Sequence, residues 1–157
     1  MKDQECHLRT IGWREWGSLP ALGIGALQVK IDTGANTSAL HAENLVFHQE
    51  GKKKYVTFSV FPRRRSKGDS KTVTAEVIAF RRIKSSLGAR TERPVIKTTI
   101  EMGGEKFPIE LSLINRGKMA FRMLLGRRAM NGRFIVNPKE EFLLNPERPV
   151  VQNEQEF

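Results

Sequence analysis

The sequence has little of what disulfide bonding, membrane insertion or secretion would require. Its single cysteine, Cys6, excludes an intrachain disulfide. No stretch approaches the roughly 18 consecutive apolar residues of a membrane-spanning helix, and residues 1–7 are polar, without the apolar centre of a secretion signal. We therefore expect a cytoplasmic protein without membrane association, or a periplasmic one if a signal peptide has been removed.

Metal-binding and nucleotide-binding motifs are also missing. The three histidines, His7, His41 and His48, do not form the His-Glu-x-x-His pattern of a zinc hydrolase, and no Gly-x-x-x-x-Gly-Lys phosphate loop occurs. We therefore predict no metal and no other cofactor. A zinc site stays open as an alternative, since His41 and His48 could share one face of a helix near Glu43 or Glu50.

Basic residues outnumber acidic ones by 27 to 17, which gives a formal charge of +10. This charge attracts acidic polypeptides or other polyanions without fixing a function. The densest basic cluster, residues 63–65 with Lys67 and Lys71, has no interleaved aromatic residues, and we interpret it as a solvated loop. Nucleic-acid binding is the alternative interpretation of this cluster.

Alternation of apolar and polar residues indicates a mostly β protein. The segments with this alternation are residues 55–61, 72–83, 95–102 and 107–114. A glycine pair, Gly103-Gly104, predicts a tight turn between the last two segments. Helical patterns are limited to residues 38–45 and 127–132.

The length of 157 residues suits one domain with its own core. We place this domain at residues 10–145, after an N-terminal extension of residues 1–9 and before a polar tail of residues 146–157. Trp13 and Trp16, near the start of the domain, are expected to anchor the core or a dimer contact.

A carboxylate on a glycine-containing turn is found at Asp32. The short apolar stretch of residues 27–31 predicts a strand that leads directly into Asp32-Thr33-Gly34-Ala35. Such a loop can present a carboxylate to a substrate, and Gly34 permits a close backbone approach that a side chain would block. Taken alone, the same residues are equally compatible with an ordinary Asx turn after a strand.

A second motif, later in the chain, favours the functional interpretation of this loop. Leu124-Leu125-Gly126 is followed by Arg127 and the second helical pattern. An Asp-Thr-Gly-Ala loop combined with such a strand and helix resembles the pepsin-like and retroviral aspartic proteases. More closely, the chain resembles the small bacterial retropepsin-like proteases often labelled ATP-dependent zinc proteases. The stretches that carry this resemblance are residues 11–16, 32–42, 92–95 and 124–129.

This resemblance covers residues 10–145 and implies an all-β, closed acid-protease barrel with one or two short helices and one lobe per chain. It makes Asp32 the catalytic carboxylate, with Thr33, Gly34 and Ala35 as the active-site loop. The supporting positions that it implies are Asn36, Thr37, Ser38, Leu124, Leu125, Gly126 and Arg127. Some relatives are encoded beside an ATP-grasp ligase that adds glutamates to ribosomal protein S6, so such a glutamate ligase is an implied partner.

Aspartic proteases use two carboxylates that share one proton. The sequence has only three aspartates, Asp3, Asp32 and Asp69, and no predicted strand leads into Asp69. A second internal lobe is therefore absent. We predict a two-fold homodimer in which each chain supplies its own Asp32.

Retroviral enzymes also close a glycine-bearing hairpin over the bound peptide. The matching segment here is residues 83–93. The residues at its tip are Ser85, Ser86, Leu87, Gly88, Ala89 and Arg90. Arg90 and Arg93 would bring positive charge over the cleft and favour acidic peptide substrates. A plain hairpin loop is the alternative.

One position departs from the retroviral pattern. Those enzymes have an aspartate that pairs with the arginine after the Leu-Leu-Gly element, and here that position is Asn36. Arg127 therefore loses a charged partner. We expect a weaker or differently built dimer contact, with Glu43 as one carboxylate that could replace the missing one.

The sequence therefore predicts a homodimeric aspartic endopeptidase that activates water by general acid-base catalysis through paired Asp32 residues. Two alternatives stay open. One is a binding module with an acid-protease fold, which holds an acidic protein or a ligase with little proteolysis. The other is the zinc-dependent hydrolase that the family label suggests.

Overall fold

The computed structural model describes residues 8–62, 70–84, 88–117 and 119–149. The strands among them are β1 (Arg9–Ile11), β2 (Arg14–Leu19), β3 (Ile24–Ile31), β4 (Ser38–His41), β5 (Glu43–Glu50), β6 (Lys53–Val60), β7 (Lys71–Glu76), β8 (Ala79–Lys84), β9 (Arg90–Met102), β10 (Glu105–Ile114), β11 (Met123–Leu125) and β12 (Phe134–Val136). One α-helix, α1, spans Arg127–Met130, and a 3-10 turn spans Pro20–Leu22. No helix in these ranges is long and apolar enough to cross a membrane.

Six strands close into a barrel in the order β10-β4-β11-β3-β2-β9, because β9 also pairs with β10. Strand β8 extends this sheet beyond β9, and β5, β6 and β7 form a separate three-stranded sheet. The short strands β1 and β12 pair in parallel. The prediction of an all-β closed barrel with a short helix is confirmed.

Buried and exposed residues alternate along the strands, as the sequence pattern predicts. In β6, Val56, Phe58 and Val60 are fully buried, while the residues between them are partly exposed. Strands β9 and β10 meet at the predicted turn, where Gly103 and Gly104 have φ angles of 57° and 85°. Glycine adopts such angles without steric cost, so the pair lets the chain reverse tightly.

Two local predictions are corrected by the structure. Residues 38–45 form β4 and the start of β5 rather than a helix. All four residues of β4 are buried, and the strand pairs with β10 and β11. This tertiary setting outweighs a short helical pattern. Residues 72–83 form two strands, β7 and β8, because the chain passes there from the three-stranded sheet to the barrel sheet.

A buried carboxylate, Glu15, fastens the segment after β12 to β2. The residue has no exposed surface, and its carboxylate accepts the backbone N–H groups of Gly12 at 2.7 Å, Leu143 at 2.9 Å and Leu144 at 3.0 Å. These three donors replace the water that the carboxylate loses on burial. The contact thus holds residues 143–144 against the barrel.

We expect Glu15→Ala to lower the free energy of unfolding by about 3 kcal/mol or more, since it leaves three backbone donors unsatisfied. The matched control is Glu141→Ala, which removes a partly exposed ion pair with Arg14 and should cost about 1 kcal/mol or less. Urea unfolding of the two variants measures the difference. Equal losses would contradict the role assigned to Glu15.

Candidate active site

Asp32 lies half-buried directly after β3. Its backbone N–H donates to Leu125 O at 2.9 Å, and its Oδ1 accepts the Gly34 N–H at 2.9 Å. A Cβ at Gly34 would approach that oxygen to 3.2 Å, so a side chain there would crowd the carboxylate. The loop thus orients one carboxylate oxygen, and the other accepts no hydrogen bond from the described residues.

Strand β11 passes between β3 and β4, parallel to the first and antiparallel to the second. Gly126, just after β11, touches the Asp32 loop: a Cβ there would lie 2.9 Å from the carbonyl oxygen of Ala35 and 2.9 Å from the carbonyl carbon of Thr37. Its N–H donates to the buried Ser38 Oγ at 2.9 Å. Only glycine fits this close to the backbone, so the two predicted motifs form one unit.

The first residues of α1 hold the same loop. The N–H groups of Arg127 and Arg128 donate to the carbonyl oxygens of Ala35 and Asn36 at 2.7 and 3.2 Å. The Arg127 guanidinium donates from Nη1 to Thr33 O at 2.9 Å. Arg127 thus binds the loop backbone of its own chain.

His41 supports the chain that follows β10. Its buried ring accepts the Arg116 N–H on Nδ1 at 2.6 Å, so a neutral ring carries its proton on Nε2, which donates to Glu43 Oε2 at 2.7 Å. Burial lowers the pKa of His41, against the opposing effect of Glu43. Within one chain, Glu43 therefore binds His41 rather than Arg127.

Two arginines, the buried Arg93 and the half-buried Arg116, lie close enough to interact through their charges, and Arg116 also interacts with Asp32. Arg93, on β9, donates from Nε to Thr91 Oγ1 at 3.0 Å, and Arg116 donates from Nε to Phe121 O at 3.3 Å. Burial lowers the pKa of both guanidiniums; the charge of Arg93 lowers the pKa of Arg116 further, and Asp32 raises it. Among the described residues, neither arginine forms an ion pair within 4.0 Å.

Strands β8 and β9 form the predicted hairpin. Of its tip, the structure describes Gly88, Ala89 and Arg90, which are all exposed, whereas Ser85, Ser86 and Leu87 lie outside the described residues. Arg93, rather than Arg90, is the hairpin arginine whose charge acts on Arg116. The hairpin is thus present, and its role as a lid stays a prediction.

The helical arrangement behind the zinc alternative is not found. His41 lies on β4 and His48 on β5, and His48 stacks on Tyr55 with ring centroids 5.4 Å apart. Within the ranges that the structure describes, no three side chains of His, Cys, Asp or Glu come together as a metal site.

The geometry and the sequence point to the same group of proteins. Residues 10–147 match the family described as RimB-like, retropepsin-like aspartic endopeptidase RimB. The chain belongs to the RimB-like family. The resemblance inferred from the Asp32 loop and the Leu124-Leu125-Gly126 motif is thereby confirmed.

Segments similar to this chain occur within longer proteins. The chain is 41% identical over 141 residues to a probable alpha-L-glutamate ligase from Shewanella halifaxensis and 40% identical over 129 residues to one from Parasynechococcus marenigrum. These alignments cover 89% and 82% of this chain but only 31% and 28% of the two relatives. This RimB-like chain therefore spans less than a third of the length of these curated relatives.

A solved structure shares the fold. The crystal structure of a Legionella pneumophila protein of unknown function superimposes with a TM-score of 0.72 at 25% sequence identity. The match covers 87% of this chain and 98% of that chain. The shared fold therefore accounts for nearly the whole of that solved chain.

We expect the stability of the protein to fall as the pH drops below about 6.5. Because the pKa of His41 is lowered in the folded state, the unfolded state binds a proton at this residue at a higher pH than the folded state does. The stabilisation that the neutral His41 ring provides is therefore fully present above about pH 6.5 and is lost as the pH falls through the lowered pKa. Urea midpoints at about pH 7.5 and about pH 5.5 measure the slope.

His41→Gln should flatten this pH dependence, whereas His48→Gln, a change at an exposed histidine, should retain it. An unchanged slope in the His41 variant would contradict the assignment to His41.

Proposed function

We propose that the chain is a homodimeric aspartic endopeptidase in which each copy supplies one Asp32. The observation that carries this proposal is the Asp32 loop locked against Gly126, in a member of an aspartic endopeptidase family. In the pair, the ionised carboxylate takes a proton from water and the protonated one donates to the scissile carbonyl oxygen. Water attacks the carbonyl carbon directly, so no covalent intermediate forms.

An open concave surface beside the Asp32 loop supports the position of the second copy. Its volume is about 600 Å³. The residues that line it include Thr33, Asn36 and Arg127 from the site and the apolar Leu8, Met130, Phe134 and Val136. Ile135, which lies between Phe134 and Val136 on β12, is 53% exposed. A two-fold contact here would cover apolar surface and bring the two Asp32 loops together.

Arg93 and Arg116 support an acidic polypeptide as the substrate. A glutamate or aspartate side chain next to the scissile bond would give these two cations charge-assisted hydrogen bonds. The formal charge of +10 adds long-range attraction for the same class of substrate. We assign the β8–β9 hairpin the role of a lid, because its tip includes the exposed Gly88, Ala89 and Arg90 and its strand β9 carries Arg93.

A glutamate ligase is the proposed partner. In the relatives named probable alpha-L-glutamate ligase, the segment that is similar to this chain makes up 28–31% of the length. We infer that the barrel acts with such a ligase in the cytoplasm. A ligase-associated binding module with little proteolysis is the second candidate, because those relatives are named for ligation rather than for proteolysis.

Asp32→Asn should lower peptide cleavage at least about a hundredfold, since an amide cannot act as the general base. Mass spectrometry of glutamate-containing peptides measures cleavage, and circular dichroism checks the fold. The matched control, Asp69→Asn, makes the same chemical change and should retain activity. Full cleavage by the Asp32 variant would remove the proposed mechanism.

Arg116→Gln should lower kcat/KM for a glutamate-containing peptide about tenfold or more, and much less for the same peptide with alanine in place of glutamate. Arg90→Gln, at the exposed hairpin arginine, should leave the preference unchanged. Measurements of kcat/KM on the two peptides in parallel give this preference. An equal loss on both peptides would show that Arg116 does not select acidic side chains.

A further inference from the structure

A groove lies where the three-stranded sheet meets the start of β8. Its volume is about 250 Å³, and its lining consists of Gln49, residues 52–54 and residues 76–80. None of these residues belongs to the Asp32 loop or to α1. The hairpin tip follows Lys84, at the other end of β8. The groove is thus a surface separate from the candidate active site.

Exposed apolar side chains lie along this groove. Ile78 and Phe80 belong to its lining and are 44% and 41% exposed. Phe47, on β5, is 46% exposed, and its ring centroid lies 5.7 Å from that of Phe80. By contrast, Val56 and Phe58, on the neighbouring strand β6, are fully buried. Large apolar side chains that stay exposed next to one another are typical of a surface that another chain covers.

The two strands that carry these phenylalanines are both sheet edges. Among the described residues, β5 pairs only with β6, and β8 only with β9. Residues 46–49 of β5 contain no lysine, no carboxylate and no proline, which are features that commonly protect an edge strand from other chains. The outer edge of β5 therefore offers backbone N–H and C=O groups to an extended segment.

The charge of the groove favours an acidic segment. Lys54 Nζ lies 5.2 Å from the centroid of the Phe80 ring. Among the described residues, neither Lys52 nor Lys54 forms an ion pair within 4.0 Å. Lys53 approaches Glu76, the one acidic residue of the lining, to 4.0 Å. Carboxylates of an incoming segment would therefore find ammonium groups beside the exposed apolar rings.

We propose that this groove binds an extended acidic segment of a partner protein. One large apolar side chain of that segment packs on Phe47, Ile78 and Phe80, and carboxylates on either side of it pair with Lys52 and Lys54. A cavity of about 150 Å³ accommodates benzene, so the groove has room for one such side chain. The chain thus has a second binding surface, at the base of the β8–β9 hairpin, in addition to the proposed endopeptidase site.

The test uses the Asp32→Asn protein, so that no probe is cleaved. The probes are three short labelled peptides: one phenylalanine between glutamates, the same peptide with alanine for phenylalanine, and the same peptide with glutamines for glutamates. Fluorescence anisotropy gives the affinities. The first peptide should bind about tenfold tighter than either of the others. Its binding should weaken with added salt, and it should shift the backbone amide NMR signals of β5 and of Phe80.

Two variants test the side chains of the groove. Phe80→Ser should lower the affinity for the phenylalanine peptide about tenfold, to that of the alanine peptide. Lys54→Gln should weaken binding of both glutamate-containing peptides and reduce its dependence on salt. The matched controls change exposed residues outside the groove, Leu143→Ser and Lys139→Gln, and should bind all three peptides as the parent does. Circular dichroism checks the fold of each variant.

Equal affinity for the three peptides would overturn the proposal, as would binding that survives in Phe80→Ser. Loss of binding in Arg116→Gln would place the peptide in the candidate active site instead, and would overturn it too. An oligomer that sedimentation detects and that Phe80→Ser dissociates would assign the groove to a second copy of the chain, against the proposal. None of these results depends on cleavage, so the groove is tested separately from the proposed function.

Discussion

The passage of β11 between β3 and β4 is the constraint on which the rest of the site depends. It places Leu125 O where Asp32 can donate its N–H, and it brings Gly126 so close to the loop backbone that no side chain fits. The same passage sets the start of α1, from which Arg127 holds Thr33 O. Backbone contacts within one chain thus fix the position of the Asp32 carboxylate. These contacts do not depend on the side chain of Asn36.

The strands and the carboxylate loop could be predicted because their signals are local. Alternating burial in β6 and the glycine turn at Gly103-Gly104 need no knowledge of distant residues. Strand β4 could not be predicted, because all four of its residues are buried and the alternation of buried and exposed positions is absent. Arg116 has no local signal either: it lies in a loop after β10, and only the folded chain brings its charge near Arg93 and Asp32.

Charge is used in two ways in this protein. Exposed basic residues contribute long-range attraction that salt screens, whereas Arg93 is buried and Arg116 half-buried, so salt screens their charges less. Burial of a cation without a close carboxylate is costly, and an acidic substrate would offset that cost on binding. In our account, one chain therefore depends on two outside groups: the Asp32 of a second copy completes the catalytic pair, and an anionic side chain of the substrate completes the arginine cluster.

Specific activity across the monomer–dimer equilibrium tests this account most directly. Cleavage of a glutamate-containing peptide would be measured over a dilution series, with the oligomeric state of the same samples followed by analytical ultracentrifugation. The account predicts that specific activity follows the dimer fraction, and that excess Asp32→Asn chains suppress the wild-type protein by subunit exchange. Full specific activity in samples that contain only monomer would contradict it.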